Sequence, residues 1–243
     1  MLFVLLLIVS MLLGCITHDP DAAGGDETTV LADPPVDFTP GPLTSAGRRT
    51  PLPLSERSEI IDGVEVSFPH ACCDGMELLN IAVCTAITDF ALRCVEEAGE
   101  ASALCGIRYE VEYNDRGLLS LKAWAEDAVG GILSLDAFNF DCDTGRRICL
   151  SDCFGSLDGS YRFALGDRAA EKLRAQGHQV ISFVPPVDDS SLFCITFDGL
   201  TLLYRKYELC GAEAGYPEAH FEFNELARYF TEDAIVRRMA YFD

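Results

Sequence analysis

Apolar residues at Met76, Leu79, Val83, Ile87, Phe90 and Cys94 recur every three or four positions, which predicts one long helix with a single buried stripe. Asp74 and Glu77 have capping-box spacing ahead of it, and Gly99 supplies a C-terminal stop. Before the helix, Asp62-Gly63 separates Ile60-Ile61 from Val64–Phe68, a hairpin pattern. After it the period changes to two. Ile107, Tyr109, Val111 and Tyr113 alternate with Arg108, Glu110 and Glu112. Asn114–Gly117 turns the chain, and Leu119, Leu121, Ala123 and Ala125 alternate with Ser120, Lys122, Trp124 and Glu126. After Gly130-Gly131 the apolar positions are odd (Leu133, Leu135, Ala137) and then even (Phe138, Phe140), so a bulge or bend is expected near Ala137.

Further on, Asp143–Arg146 is a turn and Asp167–Gln176 a short helix closed by Gly177. Leu192–Phe197 and Leu200–Leu209 form a hairpin around Asp198-Gly199, and Ala219–Phe223 is a strand. Asn224 caps a last helix carrying Leu226, Phe230 and Ile235. Strands broken by a few helices, without βαβ alternation, predict an α+β fold. The expected form is two small subdomains, 58–135 and 136–243, with antiparallel sheets, a long N-terminal helix and stabilising disulfides.

Ahead of the globular part lie two segments of different texture. Met1–Leu13 is almost wholly apolar, too short to cross a bilayer but of the length of a signal-peptide core. Leu12-Leu13-Gly14-Cys15 resembles a bacterial lipobox, so residues 1–15 are expected to be a lipoprotein signal with Cys15 acylated, although no Lys or Arg precedes the apolar run. Residues 16–57 are acidic and proline-rich with no apolar period, which predicts a disordered tether. The expected location is the cell envelope, on the extracytoplasmic side.

The 243 residues carry 39 acidic and 18 basic side chains, a net charge of −21. That disfavours nucleic acid as a partner, through phosphate repulsion. It favours a cationic partner, drawn by long-range steering. Of eleven cysteines, Cys15 is assigned to lipidation. The other ten are Cys72, Cys73, Cys84, Cys94, Cys105, Cys142, Cys149, Cys153, Cys194 and Cys210, and an even number in an exported chain suits five disulfides. Cys84 and Cys94 lie about 15 Å apart on one helix, beyond the roughly 7 Å a disulfide spans, and therefore pair elsewhere. Cys94 with Cys105 and Cys142 with Cys149 are the plausible bridges. Zinc is the alternative, but no Cys-x-x-Cys occurs and no histidine sits at ligand spacing. No metal or cofactor is expected.

Several stretches carry a family resemblance: Tyr109–Leu121, Phe140–Gly145, Leu150–Phe154, and Asp198-Gly199-Leu200 continuing through Tyr207-Glu208-Leu209 and Ala214-Gly215 to Asn224-Glu225-Leu226. They resemble the extracytoplasmic domain pair of lysozyme-sensing anti-sigma factors, the RsiV-like proteins, whose first half also precedes the catalytic domain of some peptidoglycan deacetylases. The resemblance spans roughly residues 58–232. It implies an α+β fold of two subdomains and, in the sensing members, a protein-binding role; it does not imply an active site. Two places depart from the pattern. Family members often carry Gly-Gly-Ala-His where this chain has Gly130–Leu133. They often have prolines around the segment that here runs from Lys206 to Ala212.

The search for catalytic groups returns little. Gly-x-Ser-x-Gly, His-Glu-x-x-His and a phosphate-cradling loop are absent from the sequence. Asp141-x-Asp143-x-Gly145 faintly resembles a calcium loop, and a plain turn explains it better. Glu110 and Glu112 share a strand face about 7 Å apart, a separation near that of glycosidase carboxylates. His220 is a candidate base. Trp124 marks either a contact surface or packing between subdomains. Tyr204, Tyr207, Glu208 and Tyr216 cluster in the resembling segment and are the expected binding face. The expected function is therefore a non-catalytic envelope lipoprotein that binds a partner, such as a lysozyme or a cell-wall component. A cell-wall hydrolase or deacetylase accessory is the alternative.

Overall fold

Asp62 and Gly63 take positive φ values of 48° and 84°, the mirror-image turn whose twist matches a tight hairpin. They join β1 (Leu54–Ile61) to β2 (Val64–Ala71), paired from Ile61–Val64 out to Leu54–Ala71. These elements belong to a computed structural model that describes residues 51–98, 104–155 and 159–239. The expected lipobox with Cys15, the expected tether up to residue 50 and the expected Gly99 stop lie outside the described residues. Strand β1 begins at Leu54, inside the stretch expected to be tether. Leu52 is already fastened, its N–H donating to Asn114 Oδ1 and its carbonyl accepting from Asn114 Nδ2.

Helix α1 (Glu77–Ala98) follows two strands, so it is not N-terminal as expected. Its buried stripe keeps five of the six predicted positions, Leu79, Val83, Ile87, Phe90 and Cys94, while Met76 precedes the helix and is half-buried. Strand β3 (Leu104–Asp115) then runs parallel to β2, with Val66 beside Ile107. The expectation of no βαβ unit fails here, because the long helix carries the chain back to the start of the sheet and lays its stripe on it. β3 pairs antiparallel with β4 (Leu118–Asp127) and β4 with β5 (Ile132–Asp141), giving the order β1-β2-β3-β4-β5.

No bulge interrupts β5 near Ala137; its pairing with β4 shifts only at the far end, by Ala125 and Glu126. The change of parity has another cause. β5 is buried on both faces from Leu135 to Asp141. Phe138 and Phe140 join the core under α1, while Leu135 and Ala137 face a second sheet. The boundary expected between residues 135 and 136 therefore falls inside a strand.

The second sheet is β6 (Leu192–Ile195), β7 (Gly199–Leu203) and β8 (Glu218–Glu222), all antiparallel. With α2 (Leu150–Phe154) and α3 (Tyr161–Ala175) it builds a second core around Phe154, Tyr161, Leu173, Phe193 and Phe221. Helix α3 starts at Tyr161 rather than Asp167, since Tyr161, Leu165, Ala169 and Leu173 form one buried stripe. The expected last helix is instead a short α4 (Phe223–Leu226), capped by Glu222 rather than Asn224, followed by 3-10 turns at Ala227–Tyr229 and Ile235–Arg238. Broken turns let Leu226, Phe230, Ile235 and Val236 all reach the same core. The whole is a mixed α+β structure of two largely antiparallel sheets.

The sheets meet through buried polar side chains. Strand β6 is an edge strand, and its outward backbone groups face the first sheet. Asn139 Nδ2 donates to the Phe193 carbonyl at 2.7 Å. The Ile195 N–H donates to Ser120 Oγ at 3.0 Å and to Asn139 Oδ1 at 3.2 Å. Ser120 and Asn139 are 0% and 2% exposed. A buried backbone group left unpaired costs about 1–3 kcal/mol. Asn139→Ala orphans the Phe193 carbonyl and is expected to destabilise the fold by about that amount in urea titration. Ser120→Ala is expected to cost less, since Ile195 keeps Asn139, and the double variant is expected to exceed the sum of the two.

Candidate functional site

The Gly130–Leu133 and Lys206–Tyr216 stretches are brought together. Lys206 Nζ donates to the Ile132 carbonyl at 2.9 Å, and the Tyr216 hydroxyl donates to the Leu133 carbonyl. The Lys206 ammonium also lies 5.1 Å from the centre of the Tyr216 ring. Asp127 shapes the preceding turn by accepting the N–H groups of Val129 and Gly131. The result is a ridge made of the β4–β5 turn and the loop after β7. Val129, Ile132, Leu133 and Tyr207 are all exposed along it.

Tyr207 stands apart within the ridge. It is 72% exposed and has φ +66°, a left-handed conformation that disfavours a bulky side chain by about 1–2 kcal/mol. Glu208 holds this turn, its Oε2 accepting the Arg205 N–H at 2.8 Å. The other expected binding residues divide. Tyr216 and Glu208 belong to the ridge. Tyr204 is 8% exposed and sits in the second core; burial pushes its phenol pKa up, and its hydroxyl has no hydrogen-bond partner among the described residues. Trp124 packs with Tyr216 against Leu135, Leu192 and Leu203, so it belongs to the seam between the sheets.

Beside the ridge lies a cavity of about 350 Å³ between β5, residues 147–149 and residues 189–193. Arg93, Arg147 and Arg205 line it, with Asp136 and Asp189. Asp136 is 5% exposed and is held by Arg93 at 2.5 Å, with Arg147 at 3.8 Å. Arg147 also donates to the Ala137 carbonyl and stacks over Phe138. Sequence reading missed this site because its residues come from five separate stretches, with no local spacing to link them.

The candidate catalytic groups fall elsewhere. Glu110 and Glu112 both pair with Lys122, which also meets Glu218 of β8; they are structural ion pairs of the sheet surface. His220 lies directly across from Thr201, with Nδ1 3.0 Å from its hydroxyl, and Nε2 is 3.5 Å from Asp198 Oδ1. Gly199 is required beside it, since a Cβ there would meet the Phe221 carbonyl at 1.9 Å.

The expected disulfides are absent among the described residues: none of the ten cysteines is bridged to another. The proposed pairs point into different surroundings. Cys94 is buried on the inner face of α1 while Cys105 is exposed. Cys142 is in that same core while Cys149 lines the cavity. Cys94, Cys142, Cys153, Cys194 and Cys210 act as small apolar fillers. Burial pushes the Cys94, Cys153 and Cys194 thiols up, so they stay protonated at neutral pH. Among the described residues no cluster of His, Cys, Asp and Glu has metal-binding geometry.

The Asp141–Gly145 stretch is a turn. Asp141 Oδ1 accepts the N–H groups of Asp143 and Thr144 and the Thr144 hydroxyl, and Oδ2 accepts from Arg238 at 2.6 Å. Burial pushes its carboxyl up, but the hydrogen bonds from Arg238 and Thr144 outweigh it and hold the pKa below the usual value.

The fold is similar to that of two solved DUF3298-family proteins. One is from Pseudomonas aeruginosa, with a TM-score of 0.53 and 15% identity, covering 76% of this chain and 97% of that one. The other is from Bacteroides fragilis, with a TM-score of 0.50 and 14% identity, covering 77% and 95%. No family model matches the sequence, and no curated protein does.

A depressed carboxyl pKa stabilises the fold fully above the unfolded value of about 3.9, and that contribution is lost as pH falls through the folded value. Asp141→Asn is therefore expected to lower stability at pH 7. In thermal melts the gap from the wild type is expected to shrink below about pH 4.

Proposed function

We propose that this chain is a lipid-anchored, extracytoplasmic protein that binds a basic protein partner through the ridge, without catalysing a reaction. Tyr207 carries the proposal. An exposed tyrosine held in a strained backbone conformation has little stabilising return within the fold, and exposed aromatics of this kind anchor interfaces. Three further features support the reading. The −21 charge steers a cationic partner to the surface. The Leu12–Cys15 lipobox fits membrane anchoring. The sequence resemblance to the lysozyme-sensing domain pair supports a lysozyme as the partner. A second reading rests on the Thr201–His220–Asp198 chain, which has the residue types of a hydrolase triad. Ester hydrolysis abolished by His220→Ala is the result that favours it.

The test is calorimetry of the full chain in detergent with a C-type lysozyme, at low salt and at physiological salt. Binding that persists at physiological salt is expected, since charge attraction alone is screened there. Tyr207→Gly relieves the strained backbone and removes the ring. It is expected to keep or raise the melting temperature while weakening binding at least tenfold. Unchanged affinity contradicts the proposal.

A further inference from the structure

The arginine-lined cavity runs against the electrostatic trend of the chain. The protein as a whole carries −21, yet three guanidinium groups gather here against two carboxylates. One of those carboxylates is already used. Asp136 is 95% buried by its 5% exposure, accepts the Ala137 N–H at 2.8 Å and holds Arg93. Arg147 is fixed from both sides, by the Ala137 carbonyl and by the Phe138 ring. These contacts orient two planar forks and leave most of their five N–H donors each unspent. Arg205, on the rim, makes no side-chain hydrogen bond or ion pair among the described residues, although Glu208 bonds its backbone.

Another part of the lining is of the opposite kind. Asp189 accepts the Ser151 N–H through Oδ1, and Ser190 and Ser191 lie beside it. Oriented arginine forks match a carboxylate bidentately. An acidic and hydroxylated wall repels a phosphate's extra charge and suits amide or ammonium N–H donors. A volume of about 350 Å³ is at the small end of ligand pockets.

We infer that this cavity binds the C-terminal carboxylate of a short peptide, of about two residues. The arginines take the carboxylate, and the Asp189 wall takes the peptide's N–H groups. This site adjoins the Tyr207 ridge but uses different side chains, so either is able to fail alone.

The test is calorimetry of the full chain with the dipeptide Ala-Ala, its C-terminal amide and inorganic phosphate. Ala-Ala is expected to bind, and the amide and phosphate to bind at least tenfold more weakly. Arg205→Gln, at a side chain with no hydrogen bond or ion pair among the described residues, is expected to weaken Ala-Ala at least tenfold with an unchanged melting temperature. Tyr207→Gly is expected to leave Ala-Ala binding intact. Equal binding of the amide overturns the carboxylate assignment, and so does phosphate binding as tightly as the peptide. Absence of Ala-Ala binding, or its persistence in Arg205→Gln, overturns the site.

Discussion

An edge strand cannot be buried unless its outward backbone groups find partners, and β6 meets that constraint with two side chains. Asn139 and Ser120 supply the hydrogen bonds that Phe193 and Ile195 would otherwise lose. Everything distinctive about the molecule depends on this contact. It makes β5 a strand buried on both faces. It places Leu135 and Ala137 against Leu192 and Leu203, with Trp124 and Tyr216 at the margin. It also carries the loop after β7 to the β4–β5 turn, where Lys206 and Tyr216 take the carbonyls of Ile132 and Leu133.

The ridge and the cavity are thus two products of one junction. The ridge is outward, aromatic and locally strained. The cavity is recessed, polar and locally basic. Arg205 lines the cavity and directly precedes Lys206 and Tyr207 of the ridge, so the two surfaces adjoin. An acidic chain attracts a basic partner over long distances, whereas a local cluster of half-exposed guanidinium groups acts only at contact range.

Much of this was legible in the sequence where the signal is local. The α1 stripe, the Asp62-Gly63 and Arg116-Gly117 turns and the β3–β4 hairpin follow from spacing and turn chemistry, and the structure has each of them. Ridge residues Tyr207, Glu208 and Tyr216 were legible through resemblance and aromatic content. The rest depends on non-local contacts. The parity change in β5 reads as a bulge until a second sheet is known to cover its other face. The parallel β2–β3 pairing has no local signature, because it rests on where a helix returns the chain. Tyr204 looks like its neighbours in sequence but points into a core. The cysteine count suggests staples, whereas five of them are buried unbridged in the cores, as fillers. The cavity arginines, drawn from residues 93, 147 and 205, carry no shared period at all.

The central claim is that the junction of the two sheets presents a binding face. Hydrogen–deuterium exchange of the full chain in detergent, with and without a C-type lysozyme, tests it most directly. The account predicts new protection in residues 128–133 and 205–216, with little change on the outer face of α1. Protection confined to α1, or no change at the ridge under conditions where lysozyme binds, would contradict it.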